Sequence, residues 1–149
     1  MGFAALITWF AGVLAGLYML TVWLIENDVT GRSAAPSKLP APVIFGHMAL
    51  ALTGLGLWFA YLINDTETFA WAAFGLLGAV VLLGATMFAR WIPVYRTSPP
   101  LARVPQAAGA TIGIPAEGNF PVVVVAAHGL LATGTLVLVG LTVLGVGSS

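Results

Sequence analysis

Four stretches of the chain, approximately 3–25, 43–63, 69–91 and 121–146, are apolar almost without interruption, and nearly every charged side chain falls between them. Each is about as long as the roughly 20 helical residues, rising about 1.5 Å apiece, that cross a hydrocarbon core of about 30 Å. Strands of an open sheet would leave backbone groups unpaired in that medium, so all four are expected to be helices. The expected fold is an all-α membrane protein, a single up-and-down bundle of four transmembrane helices over residues 1–149. The first stretch begins at residue 3 with no basic segment before it and is longer than a signal-peptide core, so a retained span is expected.

Composition points to the same solvent. Hydrophobic residues make up 60% of the chain and charged residues 7%, too few to clothe a water-soluble domain of 149 residues. The lipid bilayer is therefore the first partner. The chain has no cysteine, which excludes disulfides, thiolate metal sites and Cys-ligated iron–sulfur clusters. Its net charge is zero, which gives nucleic acid no electrostatic hold.

The charges also set an orientation. Arg32 and Lys38 lie between the first two stretches, Arg90 closes the third, and Arg96 and Arg103 precede the fourth. All five basic residues thus share one face, which the positive-inside rule makes cytoplasmic, with both termini outside. Asn64-Asp65-Thr66-Glu67-Thr68 is then a short acidic outer turn. Trp9, Trp23, Trp58, Trp71 and Trp91 mostly lie toward span ends, as interfacial aromatics do. The cytoplasmic connections, 26–42 and 94–120, are rich in proline, and one as long as the second is more often functional or partner-bound than idle.

Within these apolar runs stand the only two histidines, His47 in LPAPVIFGHMALALTG and His128 in FPVVVVAAHGLLATG. They are 81 positions apart, and aligning them matches Pro40 with Pro121 and Ala51 with Ala132, which suggests a duplicated two-helix hairpin although the first and third spans show little similarity. Spans two and four run in the same direction. Their histidines therefore lie at equal depth, roughly 6–10 Å inside the cytoplasmic end, and in an up-and-down bundle these two helices are diagonal across the core. Two imidazoles so placed can hold one haem iron from both sides. Gly46 and Gly129 beside them, with Gly54 and Gly134, leave room for a macrocycle or for close helix packing. For haem propionates Arg90, Arg32, Lys38 and Arg96 are candidate partners, Arg90 foremost for its planar fork, although ordinary flanking charge is the plainer reading of each. Haem ligation is the favoured reading, and interhelical hydrogen bonding, a proton role or ligation of another macrocycle such as a chlorophyll are the alternatives.

Four spans with His47 in the second and His128 in the fourth resemble the four-helix di-histidine b-type membrane cytochromes, including the membrane anchors of respiratory dehydrogenases. The resemblance implies one haem b with His47 and His128 as axial and metal ligands, in a bacterial cytoplasmic membrane. It implies a non-catalytic electron-transfer subunit of a respiratory complex, relaying electrons between other subunits and the quinone pool. Members that carry electrons across the whole membrane use two haems and four histidines; this chain has two. The alternative is a non-redox accessory or assembly subunit of a larger membrane complex, with Gly12-x-x-x-Gly16 packing against a neighbour. Transport is less expected, since the spans hold few polar groups to line a pathway.

The charge argument makes a direct prediction. Labels placed at Lys38 and Arg103 should be protected from an impermeant reagent in sealed cells, and one at Asp65 should react; the reverse pattern would overturn the orientation.

Overall fold

The computed structural model describes residues 1–27, 37–97 and 115–146, so Arg32, Arg103 and most of both long connections lie outside the described residues. Four helices, α1 (Gly2–Asn27), α2 (Ala41–Asn64), α3 (Glu67–Thr97) and α4 (Val122–Val143), are each long and apolar enough to cross a membrane. A 3-10 turn, Ala116–Asn119, precedes α4, and no strand occurs among the described residues.

Proline sets where the two histidine-bearing helices begin. Pro40 and Pro121 have extended backbones (ψ 127° and 124°) and occupy the N-cap positions of α2 and α4. A ring that fixes φ and carries no N–H is well placed at a helix start, where the first donors have no helical partner anyway. The carbonyl of Pro40 accepts from Val43 and Ile44, and that of Pro121 from Val124 and Val125. At the opposite end α2 stops at Asp65, which takes a left-handed conformation (φ 51°) and donates its N–H to the Tyr61 carbonyl at 2.8 Å. Aspartate tolerates that region better than most side chains, and two residues suffice to turn the chain into α3.

Two ends differ from the sequence reading. Residues 94–97, expected in the connection, form the last turn of α3, which runs through Pro93. Pro93 cannot donate a helical hydrogen bond, and the Thr97 hydroxyl bonds back to the Pro93 carbonyl at 2.9 Å. Helix α4 ends at Val143, and residues 144–146 wind off through Gly145 at φ +73°, a left-handed helix end that glycine adopts without Cβ strain.

The bundle is two antiparallel layers. Helices α2 and α3 pack closely on each other, as do α1 and α4, while the seams between α1 and α2 and between α3 and α4 are narrower. Neither diagonal pair makes a close backbone approach. At the end bearing the short turn the layers meet in a solid core of Ala5, Trp9, Trp58, Ala70, Ala73, Leu77 and Val139. Trp58 is fully buried there and donates its indole N–H to the Gly2 carbonyl at 3.1 Å. Gly54 makes room for this packing, since a Cβ at that position would stand 2.8 Å from the Trp9 ring.

The tryptophans correct the expectation of an interfacial belt. Trp9, Trp23, Trp58 and Trp91 are buried inside the bundle, and only Trp71 faces outward, at 51% exposure. They act as filling between layers whose remaining residues are mostly small or aliphatic. Trp58→Ala should therefore cost about 3–5 kcal/mol, as removal of a buried aromatic does, read as the shift in unfolding free energy in detergent. A loss well under about 1 kcal/mol would mean that this end is not close-packed.

Candidate functional site

Beyond the solid end the two layers separate around a cavity of about 680 Å³, within the size range of small-molecule and cofactor sites. Trp9, Leu77 and Thr135 line its floor, and Trp23, Leu39, Trp91 and Phe120 its roof. No Asp, Glu, Lys or Arg lines it. Leu17 and Leu52 at one seam, and Phe88 and Leu130 at the other, line the cavity and are also exposed outward, so the slot reaches the outer surface of the bundle on both sides.

His47 and His128 enter this slot from opposite layers. Each is the seventh residue of its helix, one from α2 and one from α4, and their ring centres are 6.1 Å apart across the diagonal. The His47 Nδ1 lies 3.0 Å from the Val80 carbonyl of α3, and the His128 Nδ1 lies 2.9 Å from the Gly12 carbonyl of α1. A carbonyl can only accept, so each Nδ1 carries the proton and donates it. In the neutral ring this leaves the lone pair on Nε2, on the side of the ring away from the neighbouring helix, and no described residue hydrogen-bonds to either Nε2.

The two contacts use the same parts. Gly16 and Gly84 each lie against an imidazole Cε1, and a Cβ on either would stand 3.2 Å from that carbon. Gly12 and Val80 are 68 positions apart, as are Gly16 and Gly84, and so are Trp23 and Trp91 at the roof. Gly12-x-x-x-Gly16 therefore faces α4 of its own chain, where Gly12 would bring a Cβ to 3.8 Å from Leu131, and is not a free surface for a neighbour.

A bare metal ion has too few ligands here. Among the described residues no three His, Cys, Asp or Glu converge, whereas structural and catalytic zinc sites take three or four protein ligands. Two opposed imidazoles suit a metal whose other donors arrive with it.

Of the other residues singled out in the sequence, Gly129 lines the cavity and Gly46 does not. Arg90, Lys38 and Arg96 are exposed outside it, and Arg90 donates to the Lys38 carbonyl at 3.2 Å. The sequence reading missed the roof. Glu117, fully buried, accepts from the Ser37 hydroxyl at 2.8 Å and from the Lys38 N–H at 2.6 Å. Ser37 in turn accepts from Trp23 Nε1 at 2.9 Å, while the Glu117 carbonyl accepts from Trp91 Nε1 at 3.0 Å. A carboxylate with all its neighbours donating is a stable way to bury an acidic side chain. Glu117→Ala would leave the Lys38 N–H without its acceptor, at about 1–3 kcal/mol, and the Ser37 hydroxyl with only the Leu39 carbonyl at 3.3 Å, and should lower the thermal midpoint in detergent. Ser37→Ala should reproduce part of the loss, and an unchanged midpoint in both would mean the roof is not held this way.

The sequence matches no known protein family and no curated protein, and the fold matches no solved structure.

Proposed function

We propose that this chain is a membrane cytochrome b subunit that holds one haem b between His47 and His128 and relays electrons between a partner oxidoreductase and the quinone pool. The observation that carries the reading is the opposition of two imidazoles across an apolar slot, each with its Nδ1 proton already committed to a carbonyl. Metal-ligating histidines almost always donate their other N–H in this way, which fixes tautomer and ring orientation.

The spacing fits as well. An imidazole nitrogen lies about 2.0–2.1 Å from the metal it ligates, and a five-membered ring with bonds of about 1.33 Å has a centre-to-atom radius of about 1.1 Å. Two rings on opposite sides of one metal thus have centres about 6.2–6.4 Å apart; here the separation is 6.1 Å. A flat macrocycle also suits a slot between two layers, with its edges toward the seams.

When bound, such a group supplies one-electron chemistry. The protein's part would be to hold the metal between His47 and His128, a two-imidazole site that would favour electron transfer over binding of oxygen, and to exclude water by the roof of Trp23, Leu39, Trp91 and Phe120. Arg90 and Lys38 supply positive charge at the roof end, where the ring carboxylates would turn. The remaining elements of the proposal are a cytoplasmic basic face, a partner docked there, and descent of the two hairpins from one duplicated unit, supported by the recurring offset of 68. A purely structural role for the histidines would use the Nδ1 bonds equally but gives no reason for two Nε2 atoms facing a cavity.

The full-length protein purified from membranes, or loaded with iron protoporphyrin IX, should show a Soret band, b-type reduced-minus-oxidised peaks and a low-spin bis-imidazole signal. His47→Ala and His128→Ala should each remove the low-spin signal, because either opens one axial position. A wild-type protein that stays colourless after loading, or an unchanged low-spin spectrum in both variants, would sink the reading.

A further inference from the structure

In an α-helix the carbonyl of residue i points along the axis toward residue i+4 and already accepts that residue's N–H. Its second lone pair is usually screened, because the side chain at i+4 leans back over the preceding turn. A glycine removes that screen, and at two of the glycines in this bundle a histidine ring takes its place. Gly16 stands four residues after Gly12, and Gly84 four residues after Val80, and at those two carbonyls the His128 and His47 rings dock at 2.9 and 3.0 Å. The rings fill the space that a side chain would occupy, with Cε1 at 3.2 Å from the Cβ position of each glycine. That separation is tighter than nine in ten real Cβ contacts, so a methyl group there would displace the ring by a few tenths of an ångström.

We propose that Gly16 and Gly84 are positioning residues, each uncovering one carbonyl of the neighbouring helix so that it fixes the tautomer and rotation of one imidazole. His128 is keyed by Gly12 and Gly16 of α1, and His47 by Val80 and Gly84 of α3. Each histidine is thus oriented by its own layer, before any ligand enters, with Nε2 directed into the slot. The significance for metal binding rests on the haem reading; the keying itself does not. The effect is selective by site, since Gly46, Gly56, Gly75 and Gly78 would bring a Cβ within 4 Å of nothing.

The test uses the full chain, ring-labelled with nitrogen-15 at histidine, in detergent without added macrocycle. The wild-type spectrum should show both rings as Nδ1–H tautomers, with close contacts from His128 Hε1 to the Gly16 Hα protons and from His47 Hε1 to those of Gly84. Gly16→Ala should make exchange of the His128 Nδ1 proton about tenfold faster, the scale of losing one ordinary hydrogen bond, and leave His47 unchanged. Gly84→Ala should do the reverse, and Gly78→Ala should alter neither. With iron protoporphyrin IX added, the two active variants should shift the low-spin signal without abolishing it. Absence of the wild-type contacts overturns the proposal whether or not the variants fold, as does a Gly16→Ala or Gly84→Ala effect that falls on both rings equally or on neither. Wild-type contacts and selective shifts in a protein that takes up no iron protoporphyrin would keep the keying and remove the haem reading instead.

Discussion

An imidazole inside a helix long and apolar enough to cross a membrane has two nitrogens to satisfy and few polar neighbours to satisfy them. Leaving either unpaired in an apolar medium costs free energy, and the helices around it have already paired their own backbone groups. Here one nitrogen of each ring takes the spare lone pair of a carbonyl on the adjacent helix. That choice sets the rest of the site. It fixes the proton on Nδ1, it pulls each ring against its own layer, and it leaves both Nε2 atoms facing the gap between layers. The close approach it demands is met where a glycine follows one turn after the accepting carbonyl.

The gap persists because the layers are held apart and together at different levels. At the turn end Trp58, Trp9 and Val139 fill the interface and leave no space. Toward the connections, glycine, alanine and the two rings occupy positions where larger side chains would have closed the slot. Four tryptophans turn inward at the two limits of this region, where bulk between the layers is required. The cavity is thus a graded feature of packing, solid at one end and open in the middle, in a bundle that exposes many large apolar side chains along its helices.

Much of this was legible from the chain. The four apolar helices follow from hydropathy, and the equal depth of His47 and His128 follows from two prolines, each seven residues ahead of its histidine. The diagonal placement of α2 and α4 follows from connectivity in an up-and-down bundle. Other parts had no local signature. A side chain docking on a carbonyl leaves no pattern of polar residues, and its only trace is a glycine, which membrane helices carry for many reasons; hence Gly16 read as a packing surface and Gly84 as nothing. Gly46 adjoins His47 in sequence, but neighbours on a helix face different ways, and it does not line the cavity. Arg90 ends up exposed for the same reason, one position from Trp91, which turns inward. Glu117 was opaque because its partners lie about 80 positions away, at Ser37 and Lys38.

Those partners bear directly on the distance between the histidines. Helices α2 and α4 make no close backbone approach, so their separation is not set by ridges packed into grooves along their length. Yet the segment holding Ser37 and Lys38 runs through Leu39 and Pro40 into α2, and Glu117 runs through Phe120 and Pro121 into α4. The hydrogen bonds from Ser37 and Lys38 to Glu117 therefore join the starts of the two histidine-bearing helices across the diagonal, less than three turns from the rings. Trp23 and Trp91 fasten the same junction to α1 and α3. Each imidazole is held in rotation by the helix beside it, and this clamp joins the packed core at the turn end in holding the two histidine-bearing helices at their separation. The two controls act on different coordinates of one geometry, which is why a buried carboxylate outside the cavity and two glycines within the layers belong to the same site.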